Sequence, residues 1–353
     1  MQSISEFDLI AMRELLGAWG FKPSHAPRLL RAYYQSHGRL EFDQLELGES
    51  LRQRIERELT MMSSSVLTSV TSDDGTQKLL VVFAAGGTAE AVLMPAYRAG
   101  RAAACVSSQI GCAMGCDFCA STRGGLQRSL SSGEIVQQFL HLQHAAAQLG
   151  RRIRSLVFMG MGEPMHNLEN VCAAIDRIAA PGLGELGWRN ITVSTVGVVS
   201  GIEQLAHCGR RVALAVSLHA PDDETRGAIV PTGRRWKIAD IIAAAKQYAH
   251  VTGTIVTIEY CMLDGVNDSP EQAQQLAELL RGFRAHVNLI PYNWIGRGVS
   301  GREYRQPSRQ RMEQFAGILS ERGVVTHFRR TRGDDVAAAC GQLREREMVQ
   351  FTR

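Results

Sequence analysis

The sequence predicts an α/β fold: a partial (β/α)6 barrel preceded by a small N-terminal helical domain and a short antiparallel β linker. Three observations carry this reading. Beyond residue 102, short apolar runs alternate six times with stretches of helical period, which implies a parallel sheet. Residues 66–95 instead alternate apolar and polar side chains around the turn Asp73-Asp74-Gly75. Residues 4–62 carry only helical periodicity. The expected limits are 1–62 for an accessory helical domain, 63–98 for the linker and 99–353 for the barrel with its C-terminal cysteine segment.

In chain order, Phe7, Ile10, Leu15 and Leu16 form one apolar stripe, and Leu29, Leu30, Tyr33 and Tyr34 a second. A third, charged helix is expected over 51–62, with Arg28, Arg31, Arg52, Arg54 and Arg57 on the outside of the module. Barrel strands are expected over 103–107, 155–159, 191–194, 212–217, 255–261 and 287–291, with a last strand over 324–328. Helices are expected near 132–149, 167–179, 199–207, 237–251, 270–282 and 308–322.

Composition excludes several classes. An apolar fraction of 45% supports a globular core. No run of about 18 apolar residues appears, so no membrane span is expected. The N-terminal stretch lacks a basic region ahead of an apolar one, so a signal peptide is not expected either. Eight clustered cysteines suit metal or redox use in a reducing compartment, and the cytoplasm is the expected location. Net charge is only +4, but lysine occurs only at positions 22, 78, 237 and 246. All other bases are arginine, which binds phosphate bidentately and stacks on bases. A monomer is the default expectation.

The chemistry concentrates in Cys112-x3-Cys116-x2-Cys119. Complete protein ligation of a 4Fe-4S cluster takes four cysteines. Three leave one iron open, and an open metal position can bind and activate a small molecule. The alternative is a zinc knuckle. No histidine follows at finger spacing, and the next, His141, falls in an expected helix. Further polar residues sit where strands end, the position at which barrels place their chemistry. They are Gly162 and Glu163 in Met159-Gly-Met-Gly-Glu-Pro164, then Ser194, Ser217-Leu218-His219 and Asn293. Two further cysteines stand out. Cys105 lies seven residues before the triple motif, and Cys340 lies in a polar, loop-like segment where a thiol is a candidate for reactivity. Cys172, Cys208 and Cys261 sit in helix or strand patterns and are read as core filler.

Together these stretches resemble the RlmN/Cfr family of radical S-adenosylmethionine (SAM) RNA methyltransferases, and within it the RlmN branch. The resemblance rests on CVSSQIGC, the triple cysteine, GMGEP, STVGVV, SLHAPDDETR, TIEY with VNDS, NLIPYN, and RGDD with ACGQL. It implies a radical SAM barrel that binds a cluster at Cys112, Cys116 and Cys119. It implies SAM contacts at Gly162, Glu163, Ser194, Ser217, Leu218, His219 and Asn293. Two SAM molecules would be used per turnover, with an electron donor such as flavodoxin or ferredoxin. One SAM methylates Cys340. The second, cleaved at the cluster, provides the radical that activates this methyl group for attack on adenine C2. Glu90 is implied as proton acceptor, and Cys105 as the thiol that releases product and leaves a Cys105–Cys340 disulfide. The implied substrates are 23S rRNA and tRNA. A Cfr-type C8 methyltransferase and a non-catalytic RNA-binding or zinc protein are the alternatives. The chain departs from the family pattern in three places: two extra residues between Pro95 and Cys105, Pro231-Thr232-Gly233, and the loop from Trp294 to Gly301.

Overall fold

A computed structural model describes residues 1–41, 45 and 47–343. The chain opens with β1 (Gln2–Ser3), α1 (Leu9–Ala18), α2 (Ala26–Gln35), α3 (Glu49–Glu58) and β2 (Leu59–Thr60). An antiparallel meander follows: β3 (Ser64–Thr71), β4 (Gln77–Phe83) and β5 (Thr88–Pro95). Next come β6 (Arg101–Cys105), β7 (Gln109–Gly111), β8 (Leu126–Ser129) and α4 (Ser132–Gln148). The alternation continues through β9 (Arg152–Phe158), α5 (Leu168–Ala179), β10 (Ile191–Thr195), α6 (Val199–His207), β11 (Ala213–Ser217), α7 (Asp223–Ile229) and α8 (Ile238–Thr252). It closes with β12 (Val256–Met262), α9 (Pro270–Leu279), β13 (Ala285–Pro291), α10 (Arg309–Glu321) and β14 (Val325–Phe328).

The main sheet has ten strands in the order β14-β13-β12-β11-β10-β9-β6-β5-β4-β3. The run from β6 to β14 is parallel, as the strand–helix alternation implies. The meander continues this sheet, because β5 pairs antiparallel with β6 and sets Val92 opposite Cys105. It therefore forms one wall beside the barrel mouth.

The N-terminal helices share the barrel's core: Met12, Leu16, Leu29, Leu30 and Tyr33 are buried in the same apolar cluster as Phe139 and Leu156. Glu6 reaches from this module to the N-terminus of α4, where it accepts from Ser132 Oγ (3.1 Å) and Gly133 N (2.9 Å). A carboxylate there meets the unpaired amides and the positive end of the helix dipole. Two expectations shift. Ile10 is exposed, because Asp8 caps α1 and puts residue 10 in the first turn, so Met12 and Leu16 face the core instead. The third helix stops at Glu58, because Leu59 and Thr60 pair with Gln2 and Ser3. On that helix Arg52, Arg54 and Arg57 lie beside Glu56 or Glu58, so much of its charge is internally paired. Among the described residues no helix is long and apolar enough to cross a membrane.

Candidate active site

The cluster motif occupies the connection between β7 and β8. Gly111 starts it at φ +72°, where a Cβ would lie 1.9 Å from the Gly125 carbonyl oxygen, so only glycine fits. Cys112 N then donates to Gly125 O (3.0 Å), Cys119 N to Cys116 O (3.0 Å), and Thr122 Oγ1 to Cys119 O (3.0 Å). Thr232, at a departure from the family pattern, donates its hydroxyl to Met114 O (2.6 Å) and so pins the same loop. Asp117, between the second and third cysteines, is buried and accepts from Ser300 N (2.7 Å) and Tyr304 Oη (2.7 Å). The divergent Trp294–Gly301 loop is thereby bolted to the cluster loop.

Cys112, Cys116 and Cys119 line one cavity at the C-terminal ends of the parallel strands, together with Gly162, Glu163, Ser194, Ser217, His219, Asn293 and Cys340. Burial pushes the Cys112 thiol up to about 12, and raises Cys116 and Cys119 as well. Such thiols stay protonated near neutral pH unless a metal replaces the proton. Among the described residues no three His, Cys, Asp or Glu side chains converge on a single ion. A cubane makes a different demand, one thiolate on each of three separate irons, and three cysteines around one cavity suit it.

Glu163 Oε1 accepts from Met165 N (3.0 Å) and Oε2 from Val196 N (2.9 Å). Burial raises this carboxyl to about 7, and a ligand ammonium would favour its charged form. Gly162 precedes it at φ +99°, where a Cβ would strike Gln109 at 2.5 Å. Ser194 Oγ and Ser217 Oγ lie 3.4 Å apart. His219 is buried at φ 62°; its Nδ1 accepts from Cys261 N (3.0 Å) and its ring meets Phe118 edge-on at 4.8 Å. Leu218 sits wholly in the core, with its amide and carbonyl bonded to Glu259 O and Arg226. Its side chain does not line the cavity.

Cys340 also lines a second cavity, which contains Cys105, Met159, Ile290 and Arg329. Its segment is clamped on several sides. Asn293 Nδ2 donates to Cys340 O (3.1 Å), Ala120 N to Gly341 O (2.6 Å), and Gln342 Nε2 to Asp334 Oδ1 (2.7 Å). Asp335 accepts from Ser72 Oγ (2.5 Å) on the meander, which gives the RGDD stretch a tethering role. All eight cysteines are free thiols, so the Cys105–Cys340 disulfide implied by the resemblance is not formed in this structure. Burial, then the nearby Cys340, pushes the Cys105 thiol up to about 12. Glu90 is buried on β5 and paired with Lys78 Nζ (2.9 Å), whose ammonium also donates to Ala337 O (3.4 Å). Glu90 therefore lies beneath the Cys340 segment and lines neither cavity.

Sequence reasoning missed four residues. Arg226 is fully buried, donates to Leu218 O (3.2 Å), and places its charge near Cys116. Arg329 turns inward to Glu259 (3.7 Å) and Met159 Sδ (3.2 Å), beside Cys340 and Cys105. Glu259 and Cys261 both line the first cavity, and Glu259 Oε2 is buried with no hydrogen-bond donor among the described residues. Strand alternation puts positions 259 and 261 on one face, which was the available signal. The Glu259 Oε2 oxygen faces the Arg329 guanidinium at 3.7 Å without a hydrogen bond, which leaves room for a donor from the cofactor, so the side chains present fit both a cluster and SAM.

Comparison with known proteins supplies the class. Residues 106–279 match the family model of the Radical SAM superfamily, and the protein is a radical SAM enzyme. It is 48% identical, over 97% of this chain and 96% of the relative, to "Probable dual-specificity RNA methyltransferase RlmN 1" of Opitutus terrae. It is 41% identical, over 98% of this chain and 92% of the relative, to the protein named "Probable dual-specificity RNA methyltransferase RlmN" of Symbiobacterium thermophilum. The crystal structure of a radical SAM methyltransferase from Sphaerobacter thermophilus matches with a TM-score of 0.91 at 39% identity, covering 98% of this chain and 99% of that one. The chain belongs to the RlmN/Cfr family of radical SAM RNA methyltransferases, on its RlmN branch, with a 4Fe-4S cluster and SAM as cofactors.

Proposed function

We propose that this enzyme methylates C2 of an unpaired adenosine in 23S rRNA, and in tRNA, through a methyl group carried on Cys340. The observation that carries the reading is the position of Cys340 in the wall of two cavities, one with the three cluster cysteines and Glu163, the other with Cys105. A methyl carrier must face its donor and its acceptor.

When bound at Cys112, Cys116 and Cys119, the cluster supplies the electron that turns SAM into a hydrogen-abstracting radical source. The protein's own residues do the rest. Glu163 and the Ser194–Ser217 pair orient SAM. Cys340 takes a methyl group from one SAM by sulfur attack and presents it to the base, so each turnover uses two SAM molecules. Neutral adenine C2 is no nucleophile, which is why a carbon first activated on Cys340 is needed. The ring proton passes to Glu90 by relay, since Glu90 lines neither cavity and is paired with Lys78. The radical adduct gives up one electron as the ring proton leaves. The bond from the Cys340 sulfur to the transferred carbon then breaks as the Cys105–Cys340 bond forms, the carbon keeps the electron pair and takes a solvent proton to become the methyl group, and reductant restores the thiols. The base reaches the site flipped or unpaired. Residues 1–62 grip the RNA, a small one-electron donor such as flavodoxin or ferredoxin serves the cluster, and the enzyme works as a cytoplasmic monomer.

The test is anaerobic. Cluster-loaded protein, SAM, reductant and unmodified 23S rRNA or tRNA are incubated, and digested nucleosides are resolved by mass spectrometry. 2-Methyladenosine is the expected product; 8-methyladenosine, or no methyladenosine from an intact cluster, would overturn the reading.

A further inference from the structure

We propose that Tyr97, Arg330 and Arg332 form a nucleotide subsite on the rim of the second cavity, and that it takes the unpaired nucleotide adjoining the reacting adenosine. The proposal rests on the RNA-methylating function above and adds where the strand is held.

Tyr97 lies in the connection between β5 and β6, at the place where this chain carries two residues beyond the family pattern. The connection is a short closed turn, with Ala96 N bonded to Arg101 O at 3.0 Å. The ring is 81% exposed, far more than the aromatic residues of the core. Two cations nevertheless lie over it: the Arg330 and Arg332 guanidinium carbons are 5.7 and 5.6 Å from its centroid. All three residues line the cavity that contains Cys105 and Cys340. Among the described residues neither guanidinium has a carboxylate partner. An accessible π-face flanked by two arginines suits one ligand chemistry, a base to stack and a phosphate to neutralise. The reacting adenine has to sit deeper, against Cys340, so the rim receives its neighbour.

The probe is a fluorescein-labelled RNA hairpin with two adjacent unpaired adenosines, and a twin in which the neighbouring base is abasic. Tyr97→Ala should weaken hairpin binding and raise KM by about tenfold or more, from the usual strength of base stacking. Tyr97→Phe should restore both, because the ring remains. The abasic twin should bind wild type and Tyr97→Ala alike. Arg330→Ala should lower the salt slope of binding by about one. Iron content serves as the control for folding. Wild-type Kd and KM in Tyr97→Ala, or an abasic twin that separates the two proteins as the intact hairpin does, would overturn the subsite alone. Wild-type enzyme that methylates neither hairpin nor native RNA would overturn the functional reading, and the subsite with it.

Discussion

The Asn293 side-chain amide donates to the backbone carbonyl of Cys340 at 3.1 Å, while its oxygen accepts from Thr331 Oγ1 at 3.1 Å. The end of β13 therefore fixes the reactive cysteine, and both halves of the amide are oriented. Asn293→Asp preserves the Thr331 contact but sets a carboxylate oxygen against the Cys340 carbonyl. Losing the donor should slow RNA methylation by about tenfold or more, equivalent to ~1.4 kcal/mol. Iron content should stay at the wild-type level, because the residue lies outside the cysteine loop. An unchanged single-turnover rate would show that Cys340 is held by its other clamps alone.

On the proposed function, Cys340 and Cys105 should fail in different ways. If Cys340 carries the methyl group, Cys340→Ala should abolish RNA methylation while SAM cleavage persists. If Cys105 releases the product, Cys105→Ala should accumulate a covalent protein–RNA species on denaturing gels. Methylation by the first variant, or normal turnover without adduct in the second, would contradict the assigned roles.

Gly111 and Gly124 give a paired test of the cluster loop. Gly111→Ala meets both a left-handed backbone and the Gly125 carbonyl, a backbone atom that cannot swing aside. The conformational strain alone costs about 1–3 kcal/mol, and the steric conflict adds to it. Gly124→Ala meets nothing within 4 Å. After anaerobic reconstitution the first variant should lose most of its iron and the second should keep it. Equal iron in both would mean that the β7–β8 connection does not shape the site.

Most of the architecture was legible because each barrel element is long enough to show its period. Elements too short for a period were not. α7 is only seven residues long, and the two-residue strands β1 and β2 carry no local pattern. Arg226 was missed for the same reason: within Asp-Asp-Glu-Thr-Arg it looks solvated, and only the packing of α7 under the cluster loop buries it. Cys261 was read as filler although it shares a strand face with Glu259, and β12 ends at the cavity. The Glu90–Lys78 pair depends on the registry of β4 against β5, which no single strand reveals.

His219 gives the protein a pH-dependent stability whose sign follows from its contacts. Its Nδ1 accepts from Cys261 N, so the ring is held neutral with the proton on Nε2. Burial, aided by Arg226, lowers its pKa to about 3. In the unfolded chain a histidine titrates near its ordinary value of about 6.5. Between these values the unfolded state carries a proton that the folded state lacks. Stability is therefore fully present above about pH 6.5 and is lost as pH falls, by about 1.4 kcal/mol per unit for this residue. His141, lowered to about 4 by burial, acts in the same direction. His219→Gln removes this residue's contribution and keeps that of His141. Urea unfolding of the cluster-loaded protein at about pH 6 and pH 5 should show wild type losing about 1.4 kcal/mol more than the variant. The variant should be less stable at both pH values, having lost the histidine's packing against Phe118. Parallel losses would mean that His219 takes up a proton in the folded state, and that its bond to Cys261 N does not hold the ring neutral.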